Sequence, residues 1–131
     1  LVTDVKQLMQ YIASPPPDLE SLLAQFTEPT TVVYEHAVNL PASVLADDGS
    51  VAIRITKDPF CRSLIKRLRK PVVSTSANLS GDASPIHFGL INHVIRQSVD
   101  YVVQWRQHDI STQQPSSIQK LNRDASFTKI R

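Results

Sequence analysis

Residues 70–85 read Lys-Pro-Val-Val-Ser-Thr-Ser-Ala-Asn-Leu-Ser-Gly-Asp-Ala-Ser-Pro, a β-branched run that gives way to hydroxylic side chains and ends at a proline. Serine and threonine hydroxyls, free backbone N–H groups and a helix opened by Pro85 would together form a lip for an anion or a nucleotide. Gly81 lets the chain turn tightly there. Ligands of open α/β sheets favour such strand ends. The same residues also suit a capped turn whose hydroxyls satisfy only the local backbone. Composition does not choose between the two.

A second chemical signal is cationic. Arg54, Lys57, Arg62, Lys66, Arg67, Arg69 and Lys70 crowd one stretch with Asp58 as its single acid, although the whole chain carries a net charge of only +2. That excess suits nucleotide phosphate, pyrophosphate or RNA, or else a solvated helix face. Other chemistries lack their patterns. Gly49, Gly81 and Gly89 are scattered, with no G-x-x-x-x-G-K-[ST] and no G-x-G-x-x-G. His36, His87, His93 and His108 lack metal-ligand spacing, and the carboxylates show no hydrolytic pairing. Cys61 is the one cysteine, which excludes an internal disulfide and reads as a packing residue. A reducing, cytoplasmic setting fits. No apolar run approaches the ~20 residues of a membrane span.

The elements that must position these residues follow from periodicity. Val5, Leu8, Met9 and Ile12 have helical spacing, with Thr3 or Asp4 as cap and Ser14-Pro15-Pro16-Pro17 as terminator. Leu19, Leu22, Leu23 and Phe26 repeat the pattern. Thr30–Tyr34 reads as a buried strand, Pro41–Ala46 as a short helix and Asp47–Ser50 as a turn. In the expected strand Val51–Ile55, Ala52 and Arg54 share the face opposite Val51, Ile53 and Ile55. Asp58-Pro59 is a helix start, with Phe60, Cys61, Leu64, Ile65 and Leu68 as its buried stripe. Pro71–Ser74 is expected as a strand and Pro85 as the start of a helix with Phe88, Ile91, Val94 and Ile95 inward. Tyr101–Val103, Ser117–Gln119 and Phe127–Ile130 are expected as strands, with a polar loop over Asp109–Pro115. The order predicts one α/β (α+β) domain over residues 1–131 with a mixed sheet flanked by helices. The opening Leu1-Val2-Thr3-Asp4, without initiator Met or signal segment, reads as the interior of a longer chain, truncated at its N-terminus.

The element Ile53-Arg54-(x)₃-Asp58-Pro59, followed by Ser74-Thr75-Ser76-Ala77-Asn78-Leu79-Ser80-Gly81, closely resembles the YrdC family of threonylcarbamoyl-AMP synthases. Gln114-Pro115-Ser116-Ser117-Ile118 and a terminal strand closing on Arg131 extend the match. The resemblance implies a YrdC-like fold with a twisted mixed sheet. It implies synthesis of threonylcarbamoyl-AMP from L-threonine, bicarbonate and ATP, the ATP arriving with Mg2+, for N6-threonylcarbamoyl modification of tRNA. It further implies that Arg54, Ser74 and Ser116 contact threonine, with Ser117 as the alternative to Ser116. Ser50, Ser76 and Ser84 would touch ATP, Asn78 would fix the loop and Arg131 would approach the phosphates. Downstream threonylcarbamoyl-transfer proteins are the implied partners. The family's Thr-Asp-Thr-x-Tyr-Gly turn and its Lys/Arg-rich ATP grip do not occur here, so this chain alone is expected to be inactive. Two other readings stay open. One is a module that binds tRNA or double-stranded RNA without catalysis. The other is the YrdC-like portion of a larger carbamoyltransferase.

Overall fold

The computed structural model describes residues 1–111 and 115–131. It is an α+β structure in two compact units, one formed by Leu1–Val73 with Pro115–Arg131 and the other by Ser74–Gln114. Residues 112–114 of the expected polar loop, and Gln114 of the C-terminal motif, lie outside the described residues.

The first unit is built on a four-stranded mixed sheet. Its strands are β1 (Thr30–Tyr34), β2 (Val51–Ile53), β3 (Ser117–Leu121) and β4 (Phe127–Lys129), in the order β2-β1-β3-β4. β1 pairs antiparallel with β2 and parallel with β3, and β3 pairs antiparallel with β4. The β-branched run of β1 thus lies inside the sheet, where such side chains fit a pleated, half-buried surface. Period-two alternation turns Val32, Tyr34, Val51, Ile53 and Leu121 into one core, which Leu8, Ile12 and Leu19 complete. Those last residues come from α1 (Val5–Leu8), the turn after it, and α2 (Leu19–Ala24). Phe26 meets Phe127 edge-on, with ring centroids 4.9 Å apart.

α1 is shorter than its apolar spacing predicts. Asp4 caps it by accepting from the Gln7 amide, but Met9 is exposed and Ile12 leaves the helix to pair with Ala37 in an isolated bridge. The expected helix at Pro41–Ala46 is a single 3-10 turn over Ala42–Val44. The expected strand Val51–Ile55 stops at Ile53, after which Ile55 bridges Val2 in parallel. α3 (Pro59–Leu68) begins as Asp58-Pro59 predicts, with the Asp58 carboxylate accepting from the Cys61 amide at 2.8 Å. Its apolar stripe is only partly covered: Ile65 is buried, whereas Leu64 is 45% and Leu68 51% exposed. Pro71–Ser74 does not join the sheet. Pro71 has no N–H to donate, and only Val72 pairs, through reciprocal backbone bonds with Leu1.

In the second unit the helix expected at Pro85 starts later. His87 is extended, Phe88–Leu90 forms a 3-10 turn, and α4 (His93–Ser98) opens where the Asn92 side chain accepts from the Val94 amide. The Arg96 guanidinium lies 5.6 Å from the Phe88 ring centre, tying α4 back to that turn. Tyr101–Val103 forms no strand: Tyr101 is 73% exposed, and the carbonyls of Val102 and Val103 accept from the side chains of Gln104 and Gln107.

Candidate functional site

The sheet of the first unit brings several chemically able side chains to one end of one face. Val32 pairs with Ile53, the last residue of β2, so Thr31 and Arg54 are the next residues along the two strands at this end of the sheet. Partners across an antiparallel pair share a face, so Thr31 lies on the side opposite Val32 and Ile53. The next strand continues the row, because the Thr31 hydroxyl is hydrogen-bonded to the Ser116 hydroxyl at 2.8 Å. The Arg131 guanidinium then donates to the Ser116 carbonyl at 3.4 Å. Thr31 and Ser116 therefore form a hydroxyl pair in this row, with Arg131 on the Ser116 backbone and Arg54 just past the end of β2.

Each member is held by its element. Thr31 belongs to an internal strand, and its branched Cβ restricts its rotamer. Arg54 is fixed by its backbone, whose carbonyl accepts from Val2 at 3.1 Å. The half-buried Arg54 side chain makes no hydrogen bond or ion pair within its own unit among the described residues. Planar guanidiniums beside hydroxyl donors are suited to a carboxylate or a phosphate.

Ser117 falls on the other face. It pairs in register with Thr30, and their hydroxyls lie 3.1 Å apart on the core side. Ser50 is also elsewhere, at the opposite end of β2 from Arg54 and roughly 13 Å away along the strand at ~3.3 Å per residue. It is buried in its own turn, where its hydroxyl and amide hold the Asp48 carboxyl below the usual range. Beyond it, Glu35 is ion-paired with Lys120 and Arg123, and these two hydrogen bonds lower its pKa.

In the second unit the loop after Val73 is organised by Asn78. Its amide nitrogen donates to the carbonyls of Leu79 and Asp82, both at 3.0 Å, and its oxygen accepts from Ser84 at 3.5 Å. Gly81, at φ +90, supplies the left-handed turn inside this staple. Ser74 and Ser76 are exposed, with no hydrogen bond among the described residues. Ser84 caps no helix, since α4 begins at His93, so the expected helix N-terminus does not form this part of the lip. Thr31 is the member of this cluster that sequence reasoning missed. Its signal was present in the register of β1, but a β-branched residue in a strand reads as packing.

Among the described residues no group of three or more His, Cys, Asp or Glu could hold a metal ion, and no helix is long and apolar enough to cross a membrane. A family model named Sua5/YciO/YrdC, described as "Telomere recombination", matches residues 1–131. The chain is similar to threonylcarbamoyl-AMP synthases of several bacteria. It is 38% identical to that of Hydrogenovibrio crunogenus over 66 residues, covering 48% of this chain and 36% of the relative. It is 29% identical to that of Pseudoalteromonas translucida over 100 residues, covering 74% of this chain and 54% of the relative. It is 43% identical to that of Dichelobacter nodosus over 53 residues, covering 40% and 28%. The matched stretches thus span about half or less of these relatives. No solved structure matches.

Proposed function

This chain belongs to the Sua5/YciO/YrdC family, and from that premise we propose that the protein forms threonylcarbamoyl-AMP from L-threonine, bicarbonate and ATP. The observation that carries the proposal is the Thr31–Ser116 hydroxyl pair at the sheet end that also bears Arg54, whose guanidinium has no hydrogen-bond or ion-pair partner among the described residues. In this reading Arg54 takes the threonine carboxylate through charge-assisted hydrogen bonds, and Ser116, rather than Ser117, is the hydroxyl beside it. For Ser74 a threonine contact is what the family resemblance alone implies. Arg131 approaches the nucleotide phosphates, while for Ser50, which the fold buries in its own turn, and for Ser76, Asn78 and Ser84 contact with ATP and its Mg2+ is what the family resemblance alone implies. The similarity to bacterial threonylcarbamoyl-AMP synthases supports the same activity.

The reaction needs little from the protein beyond positioning and charge neutralisation. The threonine amine attacks the bicarbonate carbon, water leaves, and a carbamate forms. A carbamate oxygen then attacks the α-phosphorus, and the bond from that phosphorus to the bridging oxygen breaks as pyrophosphate departs. Arg54 would hold the carboxylate so that the amine faces bicarbonate, and Arg131 would offset charge on the phosphates. The product would pass to proteins that transfer the threonylcarbamoyl group to tRNA, a cytoplasmic task.

Because the chain spans about half the length of its relatives, turnover is best assayed on this chain joined to the N-terminal region of the Pseudoalteromonas relative. Labelled bicarbonate should enter an adenylate only when threonine and ATP are both present, with one pyrophosphate released per product. Pyrophosphate release that ignores threonine would defeat the proposal. A second reading, RNA binding, is favoured by one observation: Lys66, Arg67, Arg69 and Lys70 are all exposed along the end of α3.

A further inference from the structure

Two hydroxyl pairs bridge β1 and β3, and they differ in what they leave over. In the pair on the core face, Thr30 donates its proton to the Glu28 carbonyl at 3.0 Å, so its contact with Ser117 at 3.1 Å must use the Ser117 proton. Both protons are then consumed within the protein. In the other pair, Thr31 and Ser116 share one bond of 2.8 Å in which either oxygen can be donor. A hydroxyl has one proton and two acceptor lone pairs, so this pair keeps one proton and free lone pairs. No other protein group takes that proton among the described residues.

We infer that the Thr31–Ser116 pair selects an amino acid bearing a side-chain hydroxyl, with Thr31 as the positioning residue that orients Ser116. The inference rests on the threonine-binding reading above. A ligand hydroxyl both donates and accepts, which is what the pair presents, whereas a methyl group in its place leaves a donor unpaired. Sites that hydrogen-bond a substrate hydroxyl reject the analogue lacking it for that reason. Three restraints hold the pair in place: the internal position of β1, the branched Cβ of Thr31, and the Arg131 guanidinium on the Ser116 carbonyl. Arg54, the group assigned to the carboxylate, directly follows β2 at the same end of the sheet. Carboxylate and hydroxyl of one small amino acid would thus be read along one row.

The test compares the affinities of L-threonine and L-valine for the chain, titrated calorimetrically or by methyl resonances, in the wild type and in Thr31→Val, Thr31→Ser and Thr30→Val. The wild type should prefer threonine. Thr31→Val should lower that preference roughly tenfold, the worth of about one hydrogen bond, and leave valine affinity unchanged. Thr31→Ser should restore the preference, and Thr30→Val should keep it whatever it does to stability. A merely structural Thr31 would weaken both ligands alike, and that result overturns the inference. So does a threonine preference that Thr31→Val does not alter. If threonine binds and depends on Arg54 while the ratio ignores Thr31, only this inference falls. If the wild type binds neither amino acid, the threonine reading falls with it.

Discussion

Residue by residue, the row depends on charge left unspent. Glu35 shows the opposite case: Lys120 and Arg123 are both committed to it, and their hydrogen bonds hold its pKa down. A carboxyl whose folded pKa is depressed stabilises the fold at pH values above its unfolded pKa and loses that contribution as pH falls through the folded one. The thermal midpoint of the wild type should therefore exceed that of Glu35→Gln near neutrality, and the gap should close as pH falls below 4.5. A gap unchanged down to strongly acidic pH would contradict the ion pairs. Arg54 has no such partner in its own unit among the described residues. Arg54→Ala should cost threonine binding ~1.5–3 kcal/mol, typical of a hydrogen bond to a charged group, with less effect on ATP. In the loop, Ser76→Ala with Ser84→Ala should reduce threonylcarbamoyl-AMP formation in the joined protein while the melting temperature barely moves, because exposed hydroxyls contribute little to stability. Normal turnover by this double variant would remove both serines from the ATP site.

The elements that were legible in the sequence are those whose local signals agree with their surroundings. Asp58-Pro59 predicts the start of α3 because cap chemistry is decided within one turn. Asp58→Ala should cost about 1 kcal/mol in chemical denaturation, and no loss would mean that packing alone holds the helix end. Thr30–Tyr34 predicts β1 because a β-branched run buried on one face and half-buried on the other has few alternatives. What failed depended on partners. Tyr101–Val103 has strand composition but no neighbouring strand, and the helix expected from Pro85 is interrupted before the Asn92 cap. Met9 and Ile12 have helical spacing, yet Ile12 serves the core by bridging Ala37 instead. The site divides in the same way. Arg54 was readable from alternation along Val51–Ile53, whereas Thr31 emerges only from the register between strands, which no single segment encodes. Leu8 shows where the core carries most weight. It is fully buried, and Leu8→Ala should destabilise the chain by about 2–5 kcal/mol through lost contacts and a cavity.

Across the whole molecule, charge and function separate. The net charge of +2 hides the cationic end of α3, on which Lys66, Arg67, Arg69 and Lys70 are exposed. Polyanion binding there should collapse with added salt as counterion release is suppressed, whereas a single carboxylate held by Arg54 and hydroxyls should respond far less. RNA affinity that survives high salt would argue against a phosphate-driven contact. The central claim is that one end of one sheet face holds threonine, and an amide-resolved titration of the isotope-labelled chain with L-threonine tests it most directly. The largest saturable shifts should fall on Thr31, Arg54 and Ser116 and vanish in Arg54→Ala. Shifts centred away from that row, or none that saturate, would contradict it.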